Sequence, residues 1–538
     1  MINMSQVSRD EDGDSFRRGR SHSFRDSNKY VRTQSGTFVR ADSDVHERSN
    51  SGTMPTFRHA IHERLKKTKD DMPKGLMREV LETYKPHILS RRRQLIEDCV
   101  RDLRLNNDHI HIVEQEMRSA ILKGLNGEAN ASVKCYPTYV CELPNGCEEG
   151  QFLSLDLGGT NFRVLYLEIE EGDFLMDSKI YAIPQGIMTG SGDLLFNHIA
   201  QCLADFVNDR QLSNETLPLG FTFSFPLEQI SLAKARLVRW TKGFNCSGCE
   251  GKDVVTLLQQ AINRRGDVKI DICAILNDTT GCLMTCASID HRCRIGLILG
   301  TGTNACYLEK VKDIQLIDQY NFQDHDHMLV NTEWGGFGEN GELDFILTKW
   351  DRNVDGLSVN PGQQIFEKMI SGMYMGELIR QVLVDLIKDD LIFFDSNCEK
   401  ILERGCFYTR FASEIESDPV GDYTRTKAVL EELEMDPDTV TEEDCSALRY
   451  VCECVSRRAS FMASAGIAAL LKKMDYKDVI IGIDGSLFRY HPHFKNVMQS
   501  RISQLMGIDF KFDLMMAEDG SGRGAALVAA VLKREATK

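Results

Sequence analysis

The sequence predicts an α/β fold of two lobes around a central cleft. Its 538 residues are too many for one ordinary domain and enough for a large core. From Gln151 onward, short apolar runs alternate with glycine turns and helical patterns. Two segments resemble each other: Leu153–Asn161 and Ile295–Asn304 each show a buried strand, a Gly/Thr/Asn turn and a returning strand. This repetition indicates two related lobes that face one ligand.

The composition is that of a soluble globular protein, with 42% hydrophobic and 27% charged residues. A net charge of −16 argues against bulk nucleic-acid binding, which needs a basic face to neutralise phosphates. No apolar run approaches the roughly 18 residues of a membrane span, so we expect no membrane insertion. The start, Met1–Gln6, lacks the apolar stretch of a signal peptide, and we expect a cytoplasmic protein. The 17 cysteines are then expected to be reduced, mostly buried thiols rather than disulfides.

Residues 1–55 differ from the rest of the chain. They are rich in Ser and Thr, mix arginines with acids, and contain no leucine, the first being Leu65. Such a segment cannot bury enough apolar surface to offset its chain entropy, so we expect a disordered tail. Serines follow arginines at Arg17–Ser21 and Arg32–Ser35, an order that basophilic protein kinases favour. A protein kinase acting on the tail is therefore one expected partner, and an unmodified tail is an equal alternative.

The folded part is expected to begin near Leu76, with helical apolar spacing from there to Leu125. Near the other end, Gly520–Gly524 is expected to form a hinge turn before a helix that begins at Ala525. The predicted large lobe comprises residues 76–142 and 278–518, and the predicted small lobe comprises residues 143–277 and 519–538.

The first strand of the repeat ends in an acid and a glycine turn. Glycine lets the backbone approach a phosphate and present its N–H groups, and neighbouring Thr and Asn side chains can add donors. A plain hairpin can also use two glycines, so the turn alone leaves both interpretations open. No Gly-x4-Gly-Lys-Ser/Thr pattern occurs, which disfavours a P-loop kinase. The candidate phosphate-binding residues are Asp156, Gly158, Gly159, Thr160 and Asn161, with the acid Asp156 as the candidate Mg²⁺ ligand.

Asn277 and Asp278 follow the apolar run Ile272–Leu276, so they should lie at the carboxyl end of a strand, where ligands of α/β proteins gather. A hydroxyl is a poor nucleophile at neutral pH, and a carboxylate within hydrogen-bond reach can act as its general base. A purely structural Asx turn is the alternative interpretation of this pair.

An ordered set of motifs resembles the eukaryotic hexokinases and glucokinase over about residues 76–532. The motifs are Leu155–Arg163, Trp240–Phe244, Asn277–Thr279, Glu333–Gly338 and Asp519–Gly524. One such motif can arise by chance, whereas the ordered set cannot plausibly do so. The resemblance implies a two-lobed actin-like ATPase (ribonuclease H-like) fold. It also implies a hexokinase that uses ATP and Mg²⁺ to phosphorylate the 6-hydroxyl of glucose and related hexoses, the first step of glycolysis.

The resemblance further implies the roles of individual residues. Asp278 would be the base that takes the proton of the 6-hydroxyl, and Lys242 would offset charge on the transferring phosphoryl group. The residues implied to contact the sugar are Ser224, Phe225, Thr241, Lys242, Asn277, Asp278, Asn304, Glu333 and Glu367. Besides the first turn, those implied to contact ATP are Thr301, Gly302, Thr409, Ser413, Gly485, Ser486 and Tyr490.

The same two-lobed architecture serves filament proteins and chaperones, so phosphate turns alone do not identify a function. Those classes would lack the polar set that includes Asn277, Asn304 and Glu333. A sugar-sensing regulator with weak catalysis is the other alternative. Loss of Asp156 or Asp278 would favour a regulator, and both acids are present. The sequence therefore favours an active hexose kinase.

Overall fold

The computed structural model describes two short strands near the N-terminus and residues 89–159, 161–240, 243–394, 396–474 and 476–537. The chain divides into two units, residues 1–50 and 51–538. In the first unit, β1 (Tyr30–Arg32) pairs antiparallel with β2 (Phe38–Arg40). The rest of the predicted tail, with its candidate phosphorylation sites, lies outside the described residues.

The second unit alternates strands and helices along the chain. Its strands are β3 (Tyr136–Pro137), β4 (Gly150–Leu157), β5 (Asn161–Glu170), β6 (Asp173–Ala182), β7 (Thr216–Phe223), β8 (Leu227–Ser231), β9 (Lys234–Leu237), β10 (Lys269–Leu276), β11 (Cys293–Leu299), β12 (Thr303–Lys310), β13 (His327–Asn331), β14 (Asp478–Asp484) and β15 (Lys511–Met516). Its helices are α1 (residues 89–99), α2 (Asn107–Leu125), α3 (Gln185–Met188), α4 (Gly192–Asp209), α5 (Val254–Arg265), α6 (Asp278–Ile289), α7 (Lys349–Gly356), α8 (Ile365–Ile370), α9 (Gly372–Lys388), α10 (Glu399–Leu402), α11 (Thr409–Glu416), α12 (Thr424–Glu432), α13 (Glu442–Met474), α14 (Ser486–Tyr490), α15 (Phe494–Met506) and α16 (Gly520–Ala536).

The smaller sheet has the strand order β10-β7-β4-β5-β6. Strands β10, β7 and β4 are parallel, whereas β5 and β6 return antiparallel. Leu153, Leu155 and Leu157 alternate toward one face, where they share a core with apolar residues of α4 and α5. Phe152 directly precedes Leu153 and so lies on the opposite face of β4, in a second core that contains the apolar side of α16. Helices therefore cover both faces of the parallel part, which its hydrophobic strands require.

The larger sheet has the strand order β15-β14-β11-β12-β13-β3. Strands β15, β14 and β11 are parallel, and β12, β13 and β3 continue antiparallel. Its core is shared with α2, α9 and the long helix α13. The predicted strand–turn–strand repeat is confirmed, because β4 pairs with β5 and β11 pairs with β12 across the two glycine turns.

Helices α6 and α16 pack against each other between the two sheets. Helix α6 contacts β11 and β14 of the larger sheet, and α16 contacts β4 and β7 of the smaller one. A Cβ atom on Gly524 would lie 2.0 Å from the carbonyl oxygen of Gly281, so only glycine allows this close approach. The prediction of a hinge turn at Gly520–Gly524 is wrong, because α16 already begins at Gly520. The neighbouring helix accounts for the glycine at 524, whereas the atoms nearest to a Cβ on Gly520 and Gly522 are side-chain oxygens of Asp484 and Asp519.

The predicted α/β class is confirmed by these two sheets and their covering helices. The smaller sheet is drawn from residues 150–182, 216–223 and 269–276, and the larger from 136–137 and 293–516. The predicted lobe boundaries stay a prediction. Within the described ranges, no helix is long and apolar enough to cross a membrane.

Candidate active site

The chain turns directly from β10 into α6 at Asn277 and Asp278, both half-buried. The side-chain oxygen of Asn277 accepts hydrogen bonds from the backbone N–H of Thr279 at 3.0 Å and from its hydroxyl at 2.8 Å. Asn277 therefore forms the Asx cap of the helix, and the cap fixes the direction in which Asp278 begins it. The exposed N–H groups of a helix N-terminus favour negative charge, so this position suits an ionised carboxylate.

Asn304 on β12 lies at the centre of a network of amides and carboxylates. Its side-chain nitrogen donates to Asn331 Oδ1 at 2.8 Å and to Glu333 Oε1 at 3.1 Å, and lies 3.4 Å from Asn277 Oδ1. Asn331 Nδ2 donates to the same Glu333 oxygen at 2.8 Å. The structure thus brings the predicted Asn277, Asn304 and Glu333 together. It adds Asn331, which the sequence analysis missed, although its place directly after the buried residues 328–330 was a usable signal.

Glu333 is held in an unusual backbone conformation. Its φ is 50°, in the left-handed region that non-glycine residues rarely adopt. Burial raises the pKa of its carboxyl, the charge of Glu367 raises it further, and hydrogen bonds from Asn331 and Asn304 oppose both effects. A strained residue with a perturbed carboxylate inside a polar network is typical of a ligand-binding site.

Glu367 on α8 reaches the second glycine turn. Its Oε2 accepts a hydrogen bond from the backbone N–H of Thr303 at 3.0 Å. A Cβ atom on Gly302 would lie 2.7 Å from the same oxygen, so the carboxylate occupies the space that a side chain would need. Glu367 and Glu333 are close enough for their charges to interact.

An aromatic cluster supports the loop that follows β7. Ser224 N–H donates to the carbonyl of Leu157 at 3.2 Å, which ties this loop to the end of β4. Phe225 is buried, with its ring centroid 5.0 Å from that of Trp240 and 5.1 Å from that of Phe244. The ring of Phe225 thus packs its own loop against Trp240 and Phe244, on either side of the segment 241–243. That segment contains Thr241 and Lys242, which lie outside the described residues.

The first glycine turn follows Asp156 at the end of β4. Asp156 Oδ2 accepts a hydrogen bond from Ser521 Oγ at 2.5 Å, across 365 residues of sequence. A Cβ atom on Gly159 would meet nothing within 4 Å, so no protein group requires glycine there. The open space beside this backbone is what a bound phosphate would use. Asn161 is exposed on the same side, and Thr160 lies outside the described residues.

Three acids surround the start of α16. Asp484 Oδ2 lies 3.0 Å from the position that a Cβ atom on Gly520 would take. Gly520 directly precedes Ser521, whose hydroxyl donates to Asp156. Asp519 forms an ion pair with Arg163, whose Nη2 is also 4.0 Å from Asp156 Oδ2. Burial raises the pKa of Asp519, Arg163 opposes this effect, and the charge of Asp484 adds to it.

These oxygen donors fit Mg²⁺, because a hard divalent cation relieves the repulsion among carboxylates. Among the residues that the structure describes, no three His, Cys, Asp or Glu side chains converge closely enough to hold a metal ion by themselves. Mg²⁺ would therefore need oxygens of phosphate and water beside Asp156 to complete its six ligands.

The second glycine turn, Gly300–Gly302, is fastened to two other elements. The N–H groups of Gly372 and Met373 donate to the carbonyls of Gly300 and Thr301 at 2.8 and 3.1 Å. Thr409 Oγ1 donates to the Gly372 carbonyl at 2.6 Å, so the start of α11 is joined to this turn. The structure thus brings the predicted Thr301, Gly302 and Thr409 together.

The start of α14 lies against the same turn. A Cβ atom on Gly485 would lie 2.2 Å from the carbonyl oxygen of Leu299, so glycine is required there as well. Ser486 and Tyr490 are exposed at the two ends of α14, and Ser413 is half-buried one turn into α11. Apart from Thr160, the predicted nucleotide-contacting residues therefore lie in or beside one of the two glycine turns or on α11 and α14.

Comparisons with known proteins show the family of this chain. Two family models described as Hexokinase match residues 95–288 and 294–531. Hexokinase HKDC1 of Homo sapiens is 45% identical over 453 residues, which are 82% of this chain and 48% of that protein. Hexokinase-2 of Homo sapiens is 44% identical over 483 residues, 88% of this chain and 51% of that protein. The chain spans about half the length of these curated relatives.

Solved structures give the same result over whole chains. The structure of the Schistosoma mansoni hexokinase complexed with glucose superposes with a TM-score of 0.75 at 39% identity, covering 82% of this chain and 99% of that chain. A second crystal structure of a hexokinase has a TM-score of 0.71 at 28% identity, covering 82% of this chain and 100% of that chain. The protein belongs to the hexokinase family and has its two-lobed, actin-like sugar-kinase fold.

Proposed function

We propose that this protein transfers the γ-phosphate of Mg-ATP to the 6-hydroxyl of glucose or a related hexose. The observation that carries the proposal is the network of Asn277, Asn304, Asn331 and Glu333 with Asp278 at its edge. Amides and carboxylates fixed in one network can bind pairs of neighbouring hydroxyls. A ligand without those hydroxyls leaves the amides and carboxylates without hydrogen-bond partners and is therefore rejected. The similarity to a hexokinase whose structure holds glucose supports a hexose as the ligand.

In this proposal Asp278 accepts the proton of the 6-hydroxyl as that oxygen attacks the γ-phosphorus. Glu333, Glu367 and the amides bind the other hydroxyls, and Ser224, Phe225 and Thr241 hold the sugar from the smaller sheet. Lys242 offsets negative charge on the transferring phosphoryl group.

The backbone of Gly158, Gly159, Thr160 and Asn161 receives phosphate oxygens on one side of the nucleotide, and Thr301 and Gly302 receive them on the other. Asp156 holds Mg²⁺, directly or through water. When bound, Mg²⁺ neutralises charge on the phosphate oxygens. The residues assigned to the adenosine side of ATP are Thr409, Ser413, Gly485, Ser486 and Tyr490.

The test is an assay of the purified full-length chain with ATP, Mg²⁺ and glucose. We expect formation of ADP together with a sugar phosphate that glucose-6-phosphate dehydrogenase oxidises. 6-Deoxyglucose is the matched control, because it keeps the other hydroxyls and lacks the acceptor, and it should give no sugar-dependent ADP. Binding of glucose without any transfer would overturn the proposal and favour the sugar-sensing regulator.

A further inference from the structure

Helices α11 and α14 meet at both of their ends. At one end they flank the second glycine turn, through Thr409 and Gly485. At the other end Glu416, the last residue of α11, contacts His491, the first residue after α14. The distance between Glu416 Oε1 and His491 Nε2 is 3.3 Å, and the two side chains are only 2% and 1% exposed. The two elements assigned to adenosine are thus joined by a buried polar pair at the ends opposite to the second glycine turn.

The hydrogen bonds of this pair define its tautomer. His491 Nδ1 accepts from the backbone N–H of His493 at 3.3 Å, so the ring proton is on Nε2 and is donated to the Glu416 carboxylate. His493 Nε2 lies 3.1 Å from the carbonyl oxygen of Glu416, which can only accept, so this ring donates as well. Both histidines therefore hold the C-terminal end of α11.

Packing does not hold these residues from every side. A cavity of about 480 Å³ lies beside them and is lined by Glu416, His491 and His493 together with residues of α13 and α15. Phe411 and Ile415 of α11 and Leu487 and Phe488 of α14 pack in the apolar core, and the Glu416–His491 contact adds a buried polar connection between the ends of the two elements. A buried carboxylate that loses its donor must find another, and the ends of both elements are free to shift into the cavity.

We propose that Glu416 and His491 are positioning residues that set the distance between α11 and α14 and thereby the affinity for the adenosine part of ATP. The inference rests on the proposed function, because it takes these two elements as the adenosine site. Neither side chain reaches the sugar network, so the effect is selective for the nucleotide.

The experiment measures binding of fluorescent trinitrophenyl-ATP to the full-length protein, and separately the KM values for ATP and glucose. His491→Ala and Glu416→Ala should each weaken nucleotide binding about tenfold, as expected for loss of a buried hydrogen bond to a charged group. The KM for glucose should stay within about twofold, since the sugar ligands lie on other elements. His491→Gln keeps a donor near the position of Nε2 and should restore most of the affinity, whereas a role in stability alone predicts no such rescue of binding.

A double variant of both residues should bind the nucleotide no more weakly than either single variant, because one contact is lost in each case. If His491→Ala does not fold, His493→Ala decides the question: its side chain is exposed, and its loss should weaken nucleotide binding about threefold. His111→Ala, an exposed histidine on α2, is the matched control and should change nothing.

A wild-type protein that binds no nucleotide would contradict the proposed function itself. Wild-type binding with unchanged binding in the folded variants would overturn only the positioning role.

Discussion

Asp278 and Glu333, two carboxylates at the polar network around Asn304, are held in different surroundings. Asp278 begins a helix, where backbone N–H groups favour its charge. Glu333 is half-buried beside Glu367, and desolvation together with the charge of Glu367 disfavours its charge. In the proposed function, this division would separate the base Asp278, which must be ionised to accept a proton, from Glu333, which would bind sugar hydroxyls.

Replacing Asp278 with Ala should lower turnover by about 10²- to 10⁴-fold, the usual contribution of a general base. Glucose binding, followed by tryptophan fluorescence, should persist because the rest of the network remains. Asp290→Ala, at the other end of the same helix, is the control for effects on the helix itself. Turnover within about threefold of wild type would remove Asp278 from this role.

Replacing Glu333 with Gln should stabilise the sugar-free protein at neutral pH and weaken hexose binding. Because burial raises the pKa of Glu333 above its ordinary value of 4.5, the folded state favours the protonated form, and stability is lost as the pH rises through the raised pKa. The uncharged variant avoids that loss. Its melting temperature should therefore exceed that of wild type at about pH 7 and match it near about pH 4.

Thermal unfolding without sugar at both pH values checks the prediction for Glu333. The exposed Glu215→Gln is the control and should show no pH-dependent difference. A gain in melting temperature that is equal at both pH values would show that the charge of Glu333 is not its cause.

At the scale of elements, local sequence patterns predicted strands and turns correctly, whereas long-range contacts are needed to explain the start of α16 and the Ser521–Asp156 hydrogen bond. The strand–turn–strand repeat and the strand end before Asn277 follow from short apolar runs, which report burial directly. The prediction that α16 begins at Ala525 was wrong, because it relied on the low helix propensity of glycine, which is about 1 kcal/mol less favourable than alanine in a helix. Only the contact with α6 shows why glycine is needed there. The bond between Ser521 and Asp156 joins residues far apart in sequence, which no local pattern reveals.

Replacing Gly524 with Ala should destabilise the protein by about 2 kcal/mol or more, because the new methyl group would overlap the backbone of α6. The midpoint of urea unfolding is the measurement. Gly356→Ala, at the end of α7, is the control, because a Cβ atom there would meet nothing within 4 Å. Equal midpoints for the two variants would mean that α6 and α16 accommodate the methyl group without loss of stability.

At the scale of the whole molecule, the assigned sugar ligands are divided between the two sheets. Ser224 follows β7 of the smaller sheet, whereas Asn304, Glu333 and Glu367 lie on or beside the larger one. A ligand that contacts both sets gains affinity by drawing them together, and closure also excludes water from phosphoryl transfer.

Saturating D-glucose alone should therefore reduce the radius of gyration in small-angle X-ray scattering. L-Glucose, which has the same composition and the opposite handedness, is the control and should leave the scattering curve unchanged. Identical curves with and without D-glucose would argue against closure by the sugar.

The order of α16 after the strands it covers has a consequence for biosynthesis. The smaller sheet has all its strands once Leu276 is made, yet the face that carries Phe152 is covered by residues 520–536. At roughly 5–20 residues per second, the ribosome needs on the order of ten to fifty seconds to add the intervening chain. During that interval a nearly complete sheet presents an apolar face to the cell. The order of synthesis, rather than the stability of the finished fold, thus determines how long this apolar face stays uncovered.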